Sequence, residues 1–250
     1  CDYTSINAAI SAASNGDVIQ LAAETYFEGE QIDTLGKAIT LRGTSDERDY
    51  PTTVIKGNRN HRLVVSILPA KSTQVLEMLI FSGGLADAGG AVGLLSSDMT
   101  IRRCVFEDCV ANEYGDAIAV FGGSLLMEEC VFIPGGNKRA SSVFVNDGEF
   151  SASSCVWDGQ GTCIQASEGD VNLDGCVLTR STCGLDTSQT TVNVTDGLFC
   201  EIDVAINLDQ SDLLIVGTSF DGNMFSIDAY QSQVVVEKCV VSGSGVCDVP

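Results

Sequence analysis

Val171-Asn172-Leu173, Val192-Asn193-Val194, Leu213-Leu214-Ile215 and Val234-Val235-Val236 are one segment written repeatedly, each copy 21 residues after the last. Cys155, Cys176, Gly197, Thr218 and Cys239 keep the same step, and so does a second column of Val143, Ile164, Leu185, Ile206 and Ile227. Fixed self-similarity at this period marks a solenoid, in which each repeat covers the apolar face of its neighbour. The unit holds short alternating segments divided by Gly, Asp, Asn and Ser, and no helical pattern. The expectation is an all-β solenoid.

Toward the N-terminus the repeat lengthens. Leu79, Cys104, Cys130 and Cys155 are 25, 26 and 25 residues apart. The extra residues fall at Ala111-Asn112-Glu113-Tyr114-Gly115 and Pro134-Gly135-Gly136-Asn137-Lys138, read as corner loops on a regular shaft, where binding residues commonly sit. Earlier strands read Val18-Ile19-Gln20-Leu21, Ala38-Ile39-Thr40-Leu41, Thr53-Val54-Ile55 and Leu63-Val64-Val65. Ahead of them, Ile6, Ala9, Ile10 and Ala13 recur at helical spacing, with Thr4 or Ser5 to cap and Gly16 to stop. An amphipathic helix there would close an open end of stacked strands. The chain is thus expected to form one domain over residues 1–250, with a cap helix in 1–17 and stacked coils in 18–250.

Charge narrows the function classes. The chain carries 34 acidic and 13 basic residues, a net charge of −21. From Ala140 to Pro250 there are 16 acidic residues, and only Arg180 and Lys238 are basic. Such a surface repels phosphate backbones, so nucleic-acid binding is not expected. No apolar run reaches the roughly 18 to 20 residues of a membrane span. The start at Cys1, without Met, is read as processing or trimming. Among the 11 cysteines, Cys104, Cys130, Cys155, Cys176 and Cys239 share one repeat position and should stack as buried thiols. Cys1, Cys109, Cys183 and Cys200 lie off that ladder and are the better disulfide candidates.

Several segments together carry a family resemblance. They are Tyr3-Thr4-Ser5-Ile6-Asn7-Ala8-Ala9-Ile10, Asn15-Gly16-Asp17-Val18-Ile19, Lys37-Ala38-Ile39-Thr40-Leu41-Arg42-Gly43 and Val54-Ile55-Lys56-Gly57-Asn58. They resemble the N-terminal portion of right-handed parallel β-helix proteins of the pectin-lyase-like superfamily. Gly89-Gly90-Ala91-Val92, Cys104-Val105-Phe106 and Cys130-Val131-Phe132 are similar to repeats of the polymorphic outer-membrane protein type. The chain departs from that type at Asp116, where a Gly is usual, and at Glu107-Asp108-Cys109, which supplies no Asn after Phe106. The resemblance implies a right-handed parallel β-helix of about nine or ten coils. The superfamily holds lyases, hydrolases, adhesins and passive scaffolds, so it leaves function open.

By the same resemblance, polysaccharide lyases of this fold need acidic calcium ligands and an Arg or Lys base above one sheet. The nearest acidic column here is Gln165, Asp186, Asn207 and Asp228, with Asp209 and Tyr230 two residues further on. Asp186, Asn207, Asp209 and Asp228 are the calcium candidates, because hard cations take oxygen ligands. No Arg or Lys lies between Arg180 and Lys238 to serve beside them. Hydrolysis needs only two carboxyls, and Asp186 and Asp228 stand two coils, ~9.6 Å, apart. Trp157 aligns with Phe106, Phe132, Leu178, Phe199 and Phe220 and is read as core. His61 is the sole histidine, in a basic loop, and no catalytic role is expected of it. Asn193-Val194-Thr195 is a glycosylation sequon.

No catalytic residue and no obligate cofactor are assigned from sequence. The first expectation is a non-enzymatic, secreted or cell-surface scaffold acting in adhesion or a larger assembly. The second is a carbohydrate-active enzyme or glycan-binding module, lyase-like or hydrolase-like, on the acidic face. A protein partner, or another copy, is expected at the C-terminal end through Val240, Val241 and Val246, where the strand edge lacks a lid.

Overall fold

The computed structural model describes residues 2–67, 74–133, 141–159 and 161–243. The loop expected at Pro134–Lys138, and Cys1 and Val246, lie outside these. Every pairing between named strands is parallel. One face of the shaft is a 15-stranded sheet, and a second is a 10-stranded sheet running from Thr25–Tyr26 to Val240–Ser242. Each strand of the second sheet belongs to one turn of the chain, so there are about ten coils. The fold is the expected parallel β-solenoid.

Register follows the sequence columns. Val143, Ile164, Leu185, Ile206 and Ile227 stand directly opposite one another in successive coils. Val171, Val192, Leu213 and Val234 do likewise. Inside the shaft, aromatic rings stack at the coil spacing. Phe81–Phe106, Phe106–Phe132 and Phe132–Trp157 have ring centroids 5.2, 4.8 and 5.0 Å apart. Trp157 is fully buried, as expected.

Corners are made by single residues with left-handed backbone, a conformation that turns the chain abruptly. One corner column is Asp147, Glu168, Gln189, Gln210 and Gln231, with φ of 49 to 55°. Another is Glu129, Ser154, Gly175, Asp196, Gly217 and Lys238, each just before the small-residue position of the Cys column. The first column bends the wide face in the middle of the long strands Ser141–Ser153, Thr162–Asp174 and Cys183–Thr195.

The N-terminal helix spans Ile6–Ala12, with Ser5 as its cap and Ile6, Ala9 and Ile10 buried. It ends at Ala13 rather than at Gly16. The Lys37 ammonium explains why, since it donates to the carbonyls of Ile10, Ser11 and Ala13 at 2.7 to 2.8 Å. Those are carbonyls that a helix end leaves unpaired, and a cation there also suits the helix dipole.

Cys104, Cys130, Cys155 and Cys176 are buried free thiols, and Cys239 is free and half-buried. The Cys155 Sγ accepts from the Cys130 backbone N at 3.4 Å. Burial pushes Cys104 up to about 12. Of the disulfide candidates, Cys200 is disulfide-bonded. Cys109 and Cys183 are free, a correction. Cys109 is instead buried against the shaft, 3.7 Å from the Phe81 carbonyl, and Cys183 opposes Thr162 and Val204 in a ladder without a facing thiol.

Candidate functional site

The wide sheet presents two outward columns side by side. One reads Ala119, Phe144, Gln165, Asp186, Asn207 and Asp228 across successive coils. The other, two residues further along each strand, reads Phe121, Asn146, Ser167, Ser188, Asp209 and Tyr230. Alternation along a strand sends residues i and i+2 to the same face, so both columns look outward. From Phe121 and Phe144 they pass through amides and hydroxyls to Asp209 and Asp228, with Tyr230 at the far end.

Where the aromatic and polar parts meet there is an open groove of about 420 Å³. Tyr114, Phe121 and Phe144 make its wall, and Asn146, Gln165, Ser167, Asp186 and Ser188 contribute to its floor. The Tyr114 ring stacks on Phe144 at 4.6 Å, and Phe121 leans on Phe144 at 5.6 Å and 53°. Phe144 is buried under the other two, while Tyr114 keeps 42% of its surface exposed. An apolar wall facing a few convergent polar groups is the usual character of a small-molecule site.

Tyr114 reaches this wall from the segment expected to be a corner loop. In the structure Val110–Tyr114 is a strand, paired with Leu85–Ala88 in a small third sheet. Its register slips between Ala111 and Tyr114, and that irregularity carries the ring over the edge of the wide face. Gly115 follows at φ 61°, where a Cβ would lie 2.1 Å from the Ile118 carbonyl oxygen. Only glycine fits this close approach. The buried Asp116 carboxylate then accepts from Ala111 N at 2.8 Å and ties the segment at its base.

The sequence candidates lie along the same face. The Asn207 amide donates to Asp186 Oδ1 at 2.8 Å, which orients the carboxylate and its neighbour along the coil axis. Asp209 Oδ1 is shielded from solvent and accepts no hydrogen bond among the described residues. Asp228 is exposed one coil beyond Asn207. Two of the calcium candidates, Asp186 and Asn207, are thus tied to each other by a hydrogen bond. Nowhere among the described residues do three or more His, Cys, Asp or Glu groups converge, whereas calcium takes six to eight oxygens.

Asn193, the sequon residue, lies near the end of the strand Cys183–Thr195, on the other half of the wide face, and donates to Asn172 Oδ1 at 3.0 Å. The sole histidine, His61, has Nδ1 2.6 Å from the Arg62 carbonyl, away from the groove. Sequence reasoning placed Gln165 and Asp186 in the site and missed the aromatic wall. The available signal was Phe144, which sits between the inward Val143 and Val145 and so must point outward.

By sequence the chain matches no family model and no curated protein. Its fold does match solved structures. A mannuronic acid-specific family 6 polysaccharide lyase from human gut microbiota superposes with a TM-score of 0.57 at 15% identity, over 87% of this chain and 62% of that one. A family 6 polysaccharide lyase from Pseudopedobacter saltans superposes at 0.50 and 13% identity, over 87% and 63%. The chain thus spans less than two thirds of each enzyme's length. These likenesses bear out the parallel β-helix expected from the sequence.

The comparison corrects the first functional expectation. The non-enzymatic scaffold rested on a regular shaft, on the missing catalytic basic residues and on a low aromatic content. The matching shafts belong to polysaccharide-acting enzymes. The face of this one carries an aromatic-walled groove that overlaps the start of the acidic column at Gln165 and Asp186.

Proposed function

We propose that the chain is a carbohydrate-active enzyme that lays a glycan along the wide face, over the groove walled by Tyr114, Phe121 and Phe144. The observation that carries the reading is that groove itself. It joins an apolar wall, on which a sugar ring can stack, to a floor of amides, hydroxyls and a carboxylate at hydrogen-bonding height. From Phe144 to Asp228 the column crosses four coil steps, ~19 Å at the strand spacing, so several sugars can lie on it.

For chemistry, Asp186 and Asp228 are the residues we assign. Their backbones are two coils apart, ~9.6 Å, near the separation of about 6.5–9.5 Å at which an acid and a base flank a glycosidic bond with room for water. One would protonate the leaving oxygen and the other activate that water. Elimination instead needs a base beside a substrate carboxylate, and among the described residues no Lys, Arg or His lines the groove. Incubation with a polysaccharide panel tests the reading. New reducing ends without unsaturated uronate absorbance are expected. Asp186→Asn and Asp228→Asn should each lower the rate by about 10²-fold or more. A panel with neither cleavage nor binding would sink it.

A secreted or surface location accords with a polysaccharide substrate. Among the described residues no helix is long and apolar enough to cross a membrane. The last described coil adds a second reading, a protein contact. Val236, Val240 and Val241 are 50, 61 and 69% exposed, which suits self-association through that end. Light scattering across a concentration series tests this. A monomer throughout would exclude it.

A further inference from the structure

We infer that the glycan held by this groove is neutral, a chain of hydroxyl-bearing pyranoses without carboxylate or sulfate groups. This rests on the proposed glycan-acting face and names its substrate class, which differs from the mannuronic acid named for one of the matching lyases.

Three observations carry it. The first is the lining. Its charged group is Asp186, and its other polar groups are amides and hydroxyls, which donate and accept as sugar hydroxyls do. An anionic glycan would bring one negative charge per sugar onto a floor that continues into Asp209 and Asp228. At the bend beside it stand Asp147 and Glu168. Among the described residues nothing basic lines the groove to offset these.

The second is the cation that stands in line with the Phe144 column. Arg62 lies over Gly93, where a Cβ would be 2.6 Å from its Nε. Gly93 is two coils before Phe144 in the same column. Its guanidinium is already engaged, however. Nε donates to the Gly89 carbonyl at 2.9 Å and Nη2 to that of Ala88, with Asp87 nearby. Two of its N–H groups serve the fold, and Arg62 is not among the groove's lining residues.

The third is the wall. The exposed edge of Tyr114 and the Phe121 ring offer apolar surface. The carbon–hydrogen face of a pyranose gives up little solvation there, and a carboxylate on the same ring would keep its water.

Calorimetric titration with matched oligosaccharides decides the matter: mannan against mannuronan, glucan against glucuronan, galactan against galacturonan, each with and without calcium. At least one neutral member should bind at least tenfold tighter than its uronate counterpart. Tyr114→Ala should weaken that binding about tenfold with the melting temperature unchanged. A uronate bound as tightly as its neutral counterpart, with or without calcium, overturns the inference while leaving the glycan reading standing. Neutral binding indifferent to Tyr114→Ala also overturns it, by moving the site elsewhere. Failure to bind any member of the panel removes both.

Discussion

Oδ1 of Asp116 accepts a hydrogen bond from the backbone N–H of Ala111 at 2.8 Å, closing the base of the segment that carries Tyr114 over the groove. Both residues are buried, so water cannot replace the bond if it is lost. The position that departs from the glycine of similar repeats is thus where the wall of the site is fastened.

Asp116→Ala leaves the Ala111 N–H buried and unpaired, a cost of about 1–3 kcal/mol. Denaturant titration should record a loss in that range, and affinity for the neutral oligosaccharide should fall with it. Unchanged stability would mean that Ala111 finds another acceptor.

Two glycines separate backbone strain from close packing at the bends. Gly175 has φ 57° and open space around a would-be Cβ, the nearest atom being Ser154 Oγ at 3.9 Å. Gly175→Ala should cost about 1 kcal/mol, from backbone strain alone. At Gly169 a Cβ would sit 2.1 Å from the Gly148 carbonyl oxygen. Gly169→Ala should therefore cost more than Gly175→Ala in the same melting series. The reverse order would contradict the packing described at that bend.

Trp157 offers a cleaner core experiment. Its ring stacks on Phe132, and its buried Nε1 has no hydrogen-bond partner among the described residues. Trp157→Phe keeps the stack and removes the orphaned donor, so its cost should stay below about 1.5 kcal/mol. Trp157→Ala empties the position and should cost about 3–5 kcal/mol. Chemical denaturation of both variants measures the difference.

The buried thiols set an alkaline limit. Burial raises Cys104, Cys109 and Cys163 from 9.0 to about 12. The folded chain keeps these protons up to about pH 12, while the unfolded chain releases them near pH 9. Their contribution is therefore complete below about pH 9 and declines as pH rises toward 12, because the unfolded state then binds fewer protons. The melting temperature should fall through that window, less steeply in Cys163→Ala. A flat profile would refute the burial argument.

The shaft was legible in the sequence because its signal is redundant. Val143, Ile164, Leu185, Ile206 and Ile227 each repeat one demand for an apolar group facing the same interior, and the structure pairs them directly. The site was legible only in its floor. Gln165 and Asp186 belong to a column, whereas Tyr114 enters through a register slip that occurs once, and periodicity carries no trace of a single irregularity. The mid-face bend was hidden for another reason. Glu168, Gln189 and Gln210 adopt left-handed backbone although their residue types do not favour it.

Coils that pair residue for residue at a constant 21-residue step make the face a modular quantity. Adding or removing one whole unit, for example the stretch from Ile164 to Gly184, preserves the hydrogen-bond pattern of every remaining neighbour. A partial unit would turn inward side chains outward. The working length of such a face can therefore change only in whole steps of ~4.8 Å. A variant that gains or loses a whole coil would carry a longer or shorter ruler while the fastening of the aromatic end stays the same.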